Sequence, residues 1–216
     1  MNKYIYIRYI ACLLCLGFGF STVAAQRPVT KAEHERIVSE INTSASAIST
    51  LQCSFVQTKE LSIMNDKMVS KGTMAFARPN KLSWHYTSPY DYTFIIADDK
   101  VLISKGKNKN SIDLKSSQAF QGIAKMIAGS VTGKNLTQTD DFDVKILADE
   151  QVYVAQLTPK TKRLKKMFAS IRLTFNRSSS VMQQVEMIEA NGDATTIVFQ
   201  NVKQNQPLSD KTFTLD

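Results

Sequence analysis

The sequence predicts a mainly β (α+β) protein, a curled antiparallel sheet of about ten or eleven strands with an N-terminal helix and a lid helix over its mouth. Three observations carry that expectation. From Leu51 onward apolar and polar residues alternate through most of the chain, the period of a half-buried strand. The runs are joined by short turn segments, too short for the helical crossovers that parallel strands require. Only two stretches, 30–48 and 116–129, carry apolar residues at helical spacing.

Residues 1–25 have the layout of a cleaved secretory signal. Lys3 and Arg8 precede the apolar run Ile10 to Phe20, and Val23-Ala24-Ala25 ends in small residues before Gln26. The run is shorter than the about 20 residues of a membrane helix. Cys15 follows Leu14 where a lipoprotein signal has a small residue, and Cys12 precedes most of the apolar core. An exported protein cleaved near Ala25 is expected, with 26–216 forming one domain, since all-β domains reach about 200–250 residues. Cys53 is then the lone cysteine, so no internal disulfide forms; its place between Leu51 and Phe55 in the alternation points it inward.

Removing Lys3 and Arg8 leaves 25 of the 27 basic residues against 19 acidic ones, a modest excess. The densest cluster, Lys160, Lys162, Arg163, Lys165 and Lys166, lies between two alternating runs, where a solvated loop is expected. A weak attraction for an anionic membrane or an acidic partner is the functional reading of that cluster. No repeat of basic residues with stacking aromatics supports nucleic-acid binding.

Taken in order, the first element is a helix. Thr30 and Glu33 form a capping box, and Ile37, Ile41, Ala45 and Ile48 make one apolar stripe. Strands are then expected around Leu51–Phe55, Met68–Phe76, Leu82–Tyr86, Tyr92–Ile96, Val101–Ile103 and Ile112–Leu114. From Ser116 to Gly129 the spacing turns helical, with Phe120, Ile123, Ala124 and Ile127 on one face; Gly129 and Gly133 suit either a fixed cover or a movable lid. Strands resume at Phe142–Ile146, Tyr153–Leu157, Ile171–Phe175, Val181–Met187 and Thr195–Phe199. Asn191-Gly192 suggests a type I′ hairpin turn. So long a meander closes or curls, because a flat sheet of this size would expose long edges.

Catalytic chemistry finds no support. His34 lies in the first helical turn, and His85 has the parity opposite to Trp84 and Tyr86. The chain lacks metal, nucleophile-elbow and phosphate-loop motifs, and no cofactor is expected. Asp98-Asp99 and Asp140-Asp141 occupy expected turns, where aspartate bonds to the backbone. Apolar surface remains. Met68, Met74, Phe76, Trp84 and Phe94 share the inward parity, forming either a filled core or an adaptable lining for acyl chains. Periodicity leaves both open.

The stretch Gly72 to Pro89, GTMAFARPNKLSWHYTSP, adds what periodicity lacks. With Phe55-x-Gln57 before it, its glycine, Met74, Phe76, Arg78-Pro79-Asn80, Leu82 and Trp84-His85-Tyr86 resemble the outer-membrane lipoprotein carrier (LolA) family of Gram-negative bacteria. Ala97-Asp98-Asp99-Lys100, Leu157-Thr158-Pro159-Lys160 and Phe213, at the place of a closing strand, continue the likeness in order. The resemblance implies an incompletely closed antiparallel β-barrel whose hydrophobic cavity holds lipoprotein acyl chains. It implies a periplasmic, non-enzymatic, monomeric carrier that takes cargo from an inner-membrane ABC transporter to an outer-membrane acceptor. It makes Arg78 the latch between barrel and lid. It places Phe55, Met74, Phe76, Leu82, Trp84, Tyr86, Phe94 and Ile96 in the lining, and Phe120, Ile123 and Ile127 on the lid helix.

Leu82 stands where the family usually has phenylalanine, Asp99 replaces a turn glycine, and Ile103 replaces an aromatic. The chain also stops at Asp216, soon after Phe213, without the extension of some carriers, which leaves partner preference open. These departures admit a divergent paralogue binding another lipid or glycolipid. A lipid-sensing envelope regulatory protein of similar fold would share the cavity and lack transfer activity.

Overall fold

A computed structural model describes residues 26–63, 66–97, 100–106, 108–113, 136 and 140–215. In chain order the elements are β1 (Arg27–Pro28), α1 (Lys31–Ser46), β2 (Thr50–Glu60), β3 (Lys67–Ala77), β4 (Lys81–Ser88), β5 (Tyr92–Ala97), β6 (Lys100–Lys105) and β7 (Asn108–Asp113). After residue 140 come β8 (Phe142–Ala148), β9 (Val152–Pro159), α2 (Lys162–Lys165), β10 (Phe168–Asn176), β11 (Met182–Glu189), β12 (Ala194–Gln204) and a 3₁₀ turn, Asp210–Phe213.

Among the described residues all strands belong to one antiparallel sheet of 12, ordered β1-β8-β9-β10-β11-β12-β2-β3-β4-β5-β6-β7. β1 and β7 are its two edges, so the barrel is open. The strand beyond the expected number is β1, two residues that pair with Leu147 and Ala148; so short a run has no period to read. β2 pairs with both β3 and β12, which joins the early and late halves of the chain in the middle of the sheet.

Alternation on this curled sheet sorts side chains into an inner and an outer face. The inner face holds two clusters. One gathers Leu51, Phe55, Met74, Phe76, Trp84, Phe94 and Val101 from β2–β6. The other gathers Ile146, Tyr153, Ala155, Leu157, Ile171, Leu173 and Phe175 from β8–β10. Helix α1 is capped as its sequence dictates: Thr30 Oγ1 accepts from the Glu33 N–H, while Glu33 Oε2 accepts from the Thr30 N–H at 2.9 Å. Its stripe divides between the clusters, with Ile37 and Ile41 in the second and Ile48, just past its end, in the first. Ile37 and Ile41 are each 1% exposed, worth roughly 1.5–3 kcal/mol apiece.

The outer face is covered by the C-terminal segment. Phe213 packs on Ala75, Ile95 and Ala97, with Leu208 and Leu215 beside it, and Lys81 Nζ lies 5.7 Å from its ring centroid. Two alanines leave room for the phenyl ring, and Ile95 and Ile96 are both buried because both faces of β5 are covered. Phe213 therefore sits in a 3₁₀ turn and not in a closing strand.

Two other local expectations are corrected. The basic run folds into α2, N-capped by Thr161, whose Oγ1 accepts from the Leu164 N–H. The Asn191-Gly192 hairpin is present, but only Gly192 has positive φ, at 90°. The Gly192 N–H donates to the Glu189 carbonyl, and Asn191 spends its side chain on the Asp193 N–H. A type I′ turn would need positive φ at Asn191 as well.

Candidate functional site

The inner face divides where β11 and β12 part. Their pairing covers only Gln184↔Val198 to Ile188↔Ala194. Beyond Val198, β12 continues with β2 through a bulge between Gln200 and Lys203, with Asn201 at φ 54°. Between the diverging strands and under the C-terminal half of α1 lies an apolar slit. It is lined on one side by Leu51, Cys53, Met74, Phe199 and Val202 of the paired strands β2, β3 and β12, on the other by Phe175, Ser180, Val181 and Met182, and from above by Ile41, Ala45 and Ile48. Its free volume is about 30 Å³, room for a water or two and far below the about 300–1,000 Å³ of ligand pockets. Among the described residues the slit is too narrow for an acyl chain.

Beside the slit is an aromatic floor. Phe55 stacks at a tilt on Trp84, with centroids 4.5 Å apart, and meets Tyr86 edge-on at 5.2 Å. Phe199 completes it, edge-on to Trp84 at 6.3 Å. The Phe55 ring has space because position 72 carries no side chain. A Cβ there would lie 2.6 Å from the ring and 2.1 Å from the His85 carbonyl oxygen. Within the floor, the Tyr86 hydroxyl donates to Gln57 Oε1 at 2.9 Å, and burial pushes its pKa up despite that bond. Cys53 is buried with no ionised partner, and desolvation raises its thiol to about 12.

Arg78, at the β3–β4 turn, points its guanidinium at the C-terminal end of α1. Nε donates to the Ile48 carbonyl at 2.6 Å and Nη2 to the Ala45 carbonyl at 2.9 Å. The backbone of Arg78 donates to the Ser49 carbonyl at 2.9 Å. The last turn of α1 has no basic residue of its own. A cation from 30 residues away supplies the charge that a helix C-terminus favours. The sequence reading has Arg78 hold lid carbonyls; the carbonyls it reaches among the described residues are those of the last turn of α1 and of Ile48 and Ser49 just after it. Phe120, Ile123 and Ile127 lie outside the described residues.

Of the lining positions named from sequence, Phe55, Met74, Phe76, Leu82, Trp84, Phe94 and Ile96 are buried on the inner face, with Tyr86 half-buried against them. Met68 is not among them; it sits where β3 runs past β4 and is 55% exposed. The sequence reading missed the opposite wall, Phe175, Val181 and Met182, together with Phe199 and Val202 and the helix residues Ile41 and Ala45. Ile41 and Ala45 have the helical phase and Phe175 and Phe199 the inward parity, but Met182 and Val202 reach the inner face only through bulges in β11 and β12, and nothing local tells which strands face each other across the slit. His85 faces outward as its parity predicts, with Nε2 3.0 Å from Asp91 Oδ1. No cluster of three or more metal-ligating side chains occurs among the described residues.

Comparison with known proteins decides the family. The model for "Outer membrane lipoprotein carrier protein LolA" matches residues 46–216. This chain belongs to the LolA family. An outer-membrane lipoprotein carrier protein of Pseudomonas putida is 29% identical over 156 residues, covering 68% of each chain. One from Cupriavidus necator is 28% identical over 144 residues, covering 67% of this chain and 65% of its own. This LolA-family chain thus spans about two thirds of the length of the curated relatives it matches. Among solved structures, the Pseudomonas aeruginosa MucA/MucB complex aligns with a TM-score of 0.51 at 10% identity, covering 85% of this chain and 61% of that one, a likeness of fold. LolA-family proteins are carriers and not enzymes.

Proposed function

We propose that this chain is a periplasmic lipoprotein carrier, exported by the signal in residues 1–25. It takes acyl chains released by an inner-membrane ABC transporter and hands them to an outer-membrane acceptor. The observation that carries this reading is the narrow apolar slit at the β11/β12 divergence, bridged by α1 and held by Arg78. An apolar interior that parts along a defined line suits a ligand that must enter, stay dry and leave. Opening costs the two Arg78 hydrogen bonds, together about 1.5–3 kcal/mol, because Arg78 is exposed and water takes the place of its partners. A bound chain offsets this within a handful of methylenes, at about 0.8 kcal/mol per buried CH₂. The balance is then close enough for both loading and release.

The test is native mass spectrometry of the protein purified from the periplasm, followed by transfer in reconstituted membranes. Co-purified triacylated or diacylated lipoprotein, passed on to outer-membrane vesicles, is the expected result. A protein that carries a different lipid, or binds acyl chains and never transfers them, overturns it.

A further inference from the structure

The end of the sheet opposite Arg78 carries a second feature that does not depend on what the slit holds. Three connections interlock there: the β2–β3 tip, the β11–β12 turn and the α2–β10 junction. Asp193, 8% exposed, accepts from the Ser62 N–H at 2.9 Å, and the Ser62 hydroxyl donates to the Asn191 carbonyl at 3.0 Å. The Ala190 N–H donates to the Met167 carbonyl at 3.1 Å. Lys59 pairs with Glu189 at 3.1 Å. These bonds make the three connections one platform.

Large apolar side chains stand out from it into water. Ile63 is 94% exposed, Met68 55%, and Val69 and Met167 49% each. Met68 and Val69 point to opposite faces of β3 and are both exposed, because β4 pairs with β3 only from Lys71 onward. The hairpin end therefore projects past its neighbour by about 13 Å at strand rise. Beside it, Lys162, Arg163, Lys165 and Lys166 are exposed on and next to α2, and none has an ion-pair partner among the described residues. Several acidic residues at this end are engaged, Glu60 with Lys67, and Glu189 and Asp193 with Lys59; Asp66, Asp140 and Asp141 also lie at this end, and the four cations of α2 and its flank outnumber them.

We propose that this platform docks the protein on an anionic lipid bilayer. Exposed apolar side chains and unpaired cations at one end of the sheet match the two forces of interfacial binding, burial of side chains at the acyl boundary and attraction to negative headgroups. An acidic protein would satisfy the lysines. It would need a matching depression to receive a convex, projecting tip, whereas lipid deforms around one.

The experiment is co-sedimentation of the full mature chain with vesicles of phosphatidylethanolamine and phosphatidylglycerol, against vesicles of phosphatidylcholine alone. Binding is expected only with phosphatidylglycerol present, and it should weaken as salt shortens the range of the attraction. Each neutralised cation is expected to cost about fivefold in partitioning, so K162Q/R163Q/K165Q/K166Q should reduce binding to background. I63S/M167S should remove the fraction that resists high salt. All six positions are exposed or half-exposed, and emission of the buried, sole tryptophan, Trp84, reports that the fold is intact. Equal binding to neutral vesicles, unchanged binding by the quadruple variant, or capture by polyglutamate without vesicle binding overturns the proposal. Cargo found by native mass spectrometry is unaffected by any of these outcomes, so this proposal and the carrier reading fail separately.

Discussion

Arg78 and Ala45 are 33 residues apart in sequence and meet at 2.9 Å, guanidinium Nη2 to carbonyl oxygen. With the Ile48 carbonyl at 2.6 Å on Nε, this contact fastens the end of α1 over the slit. The first prediction follows. Arg78→Leu leaves the helix end without its cation and frees α1 from the β3–β4 turn. Stability should fall by about 1.5–3 kcal/mol, and binding of a fluorescent apolar dye should rise as the slit loosens. Arg78→Lys should recover only part of this, since a single ammonium cannot reproduce the planar fork that spans two carbonyls. Denaturant melts and dye titration of the three proteins check it; an unchanged dye signal in Arg78→Leu would refute the latch.

Gly72 is required by the Phe55 ring and by the neighbouring strand together. Because one of the two obstacles is backbone, the His85 carbonyl, rotating a side chain cannot relieve the clash. Gly72→Ala should destabilise by about 1–3 kcal/mol, the range of core overpacking. At about 2–4 °C per kcal/mol for a chain of this size, differential scanning calorimetry will show it as a Tm drop of several degrees. Trp84 emission should shift as well, since Trp84 stacks on the displaced ring.

Burial alone should protect the Cys53 thiol. With its pKa raised to about 12, the thiolate fraction at pH 8 is about a thousandfold below that of an ordinary thiol. Maleimide labelling should therefore be slow in the native protein and immediate in denaturant. The raised value also has a stability sign. Folding favours the protonated thiol, so the contribution is complete below pH 9 and is lost as pH climbs toward 12. Cys53→Ala should flatten the stability profile in that window, and rapid native labelling at pH 8 would contradict the buried placement.

The opposite sign applies at the start of α1. Glu33 is held at about 2, first by its hydrogen bonds from Arg27 and then by the Thr30 N–H. Its contribution is present above the ordinary value of 4.5 and is lost as pH falls through about 2. Glu33→Gln should lower Tm at neutral pH, and the gap between the two proteins should close between pH 4.5 and 2. A gap that persists at pH 2 would mean that Glu33 acts by packing and not by charge.

Much of the fold was legible because strands and amphipathic helices write their period locally. Leu51, Cys53 and Phe55 face inward for the same reason that His85 faces out. The Thr30–Glu33 capping box is a four-residue signal with a four-residue consequence. What stayed hidden involved contact between distant segments. Phe213 was readable as apolar, yet its seat on Ala75 and Ala97 depends on where the chain returns after β12. Met68 has the inward parity of Met74 and is exposed only because β4 stops short of it.

For the candidate site, the sequence alone determined that Phe55, Met74, Leu82 and Trp84 turn to the inner face of the sheet, and, through ordered motifs, the family resemblance. Alternation and turn chemistry are properties of neighbouring residues, so no folded structure was needed to read them. Only the tertiary structure decided that a wall of Phe175, Val181 and Met182 faces one that includes Met74, that the two part where β12 leaves β11, and that Arg78 closes on Ala45. Those facts arise from the curl of the sheet, which brings Met74 of one wall and Phe175 and Met182 of the other, about a hundred positions away, to line one slit. No local pattern encodes that distance.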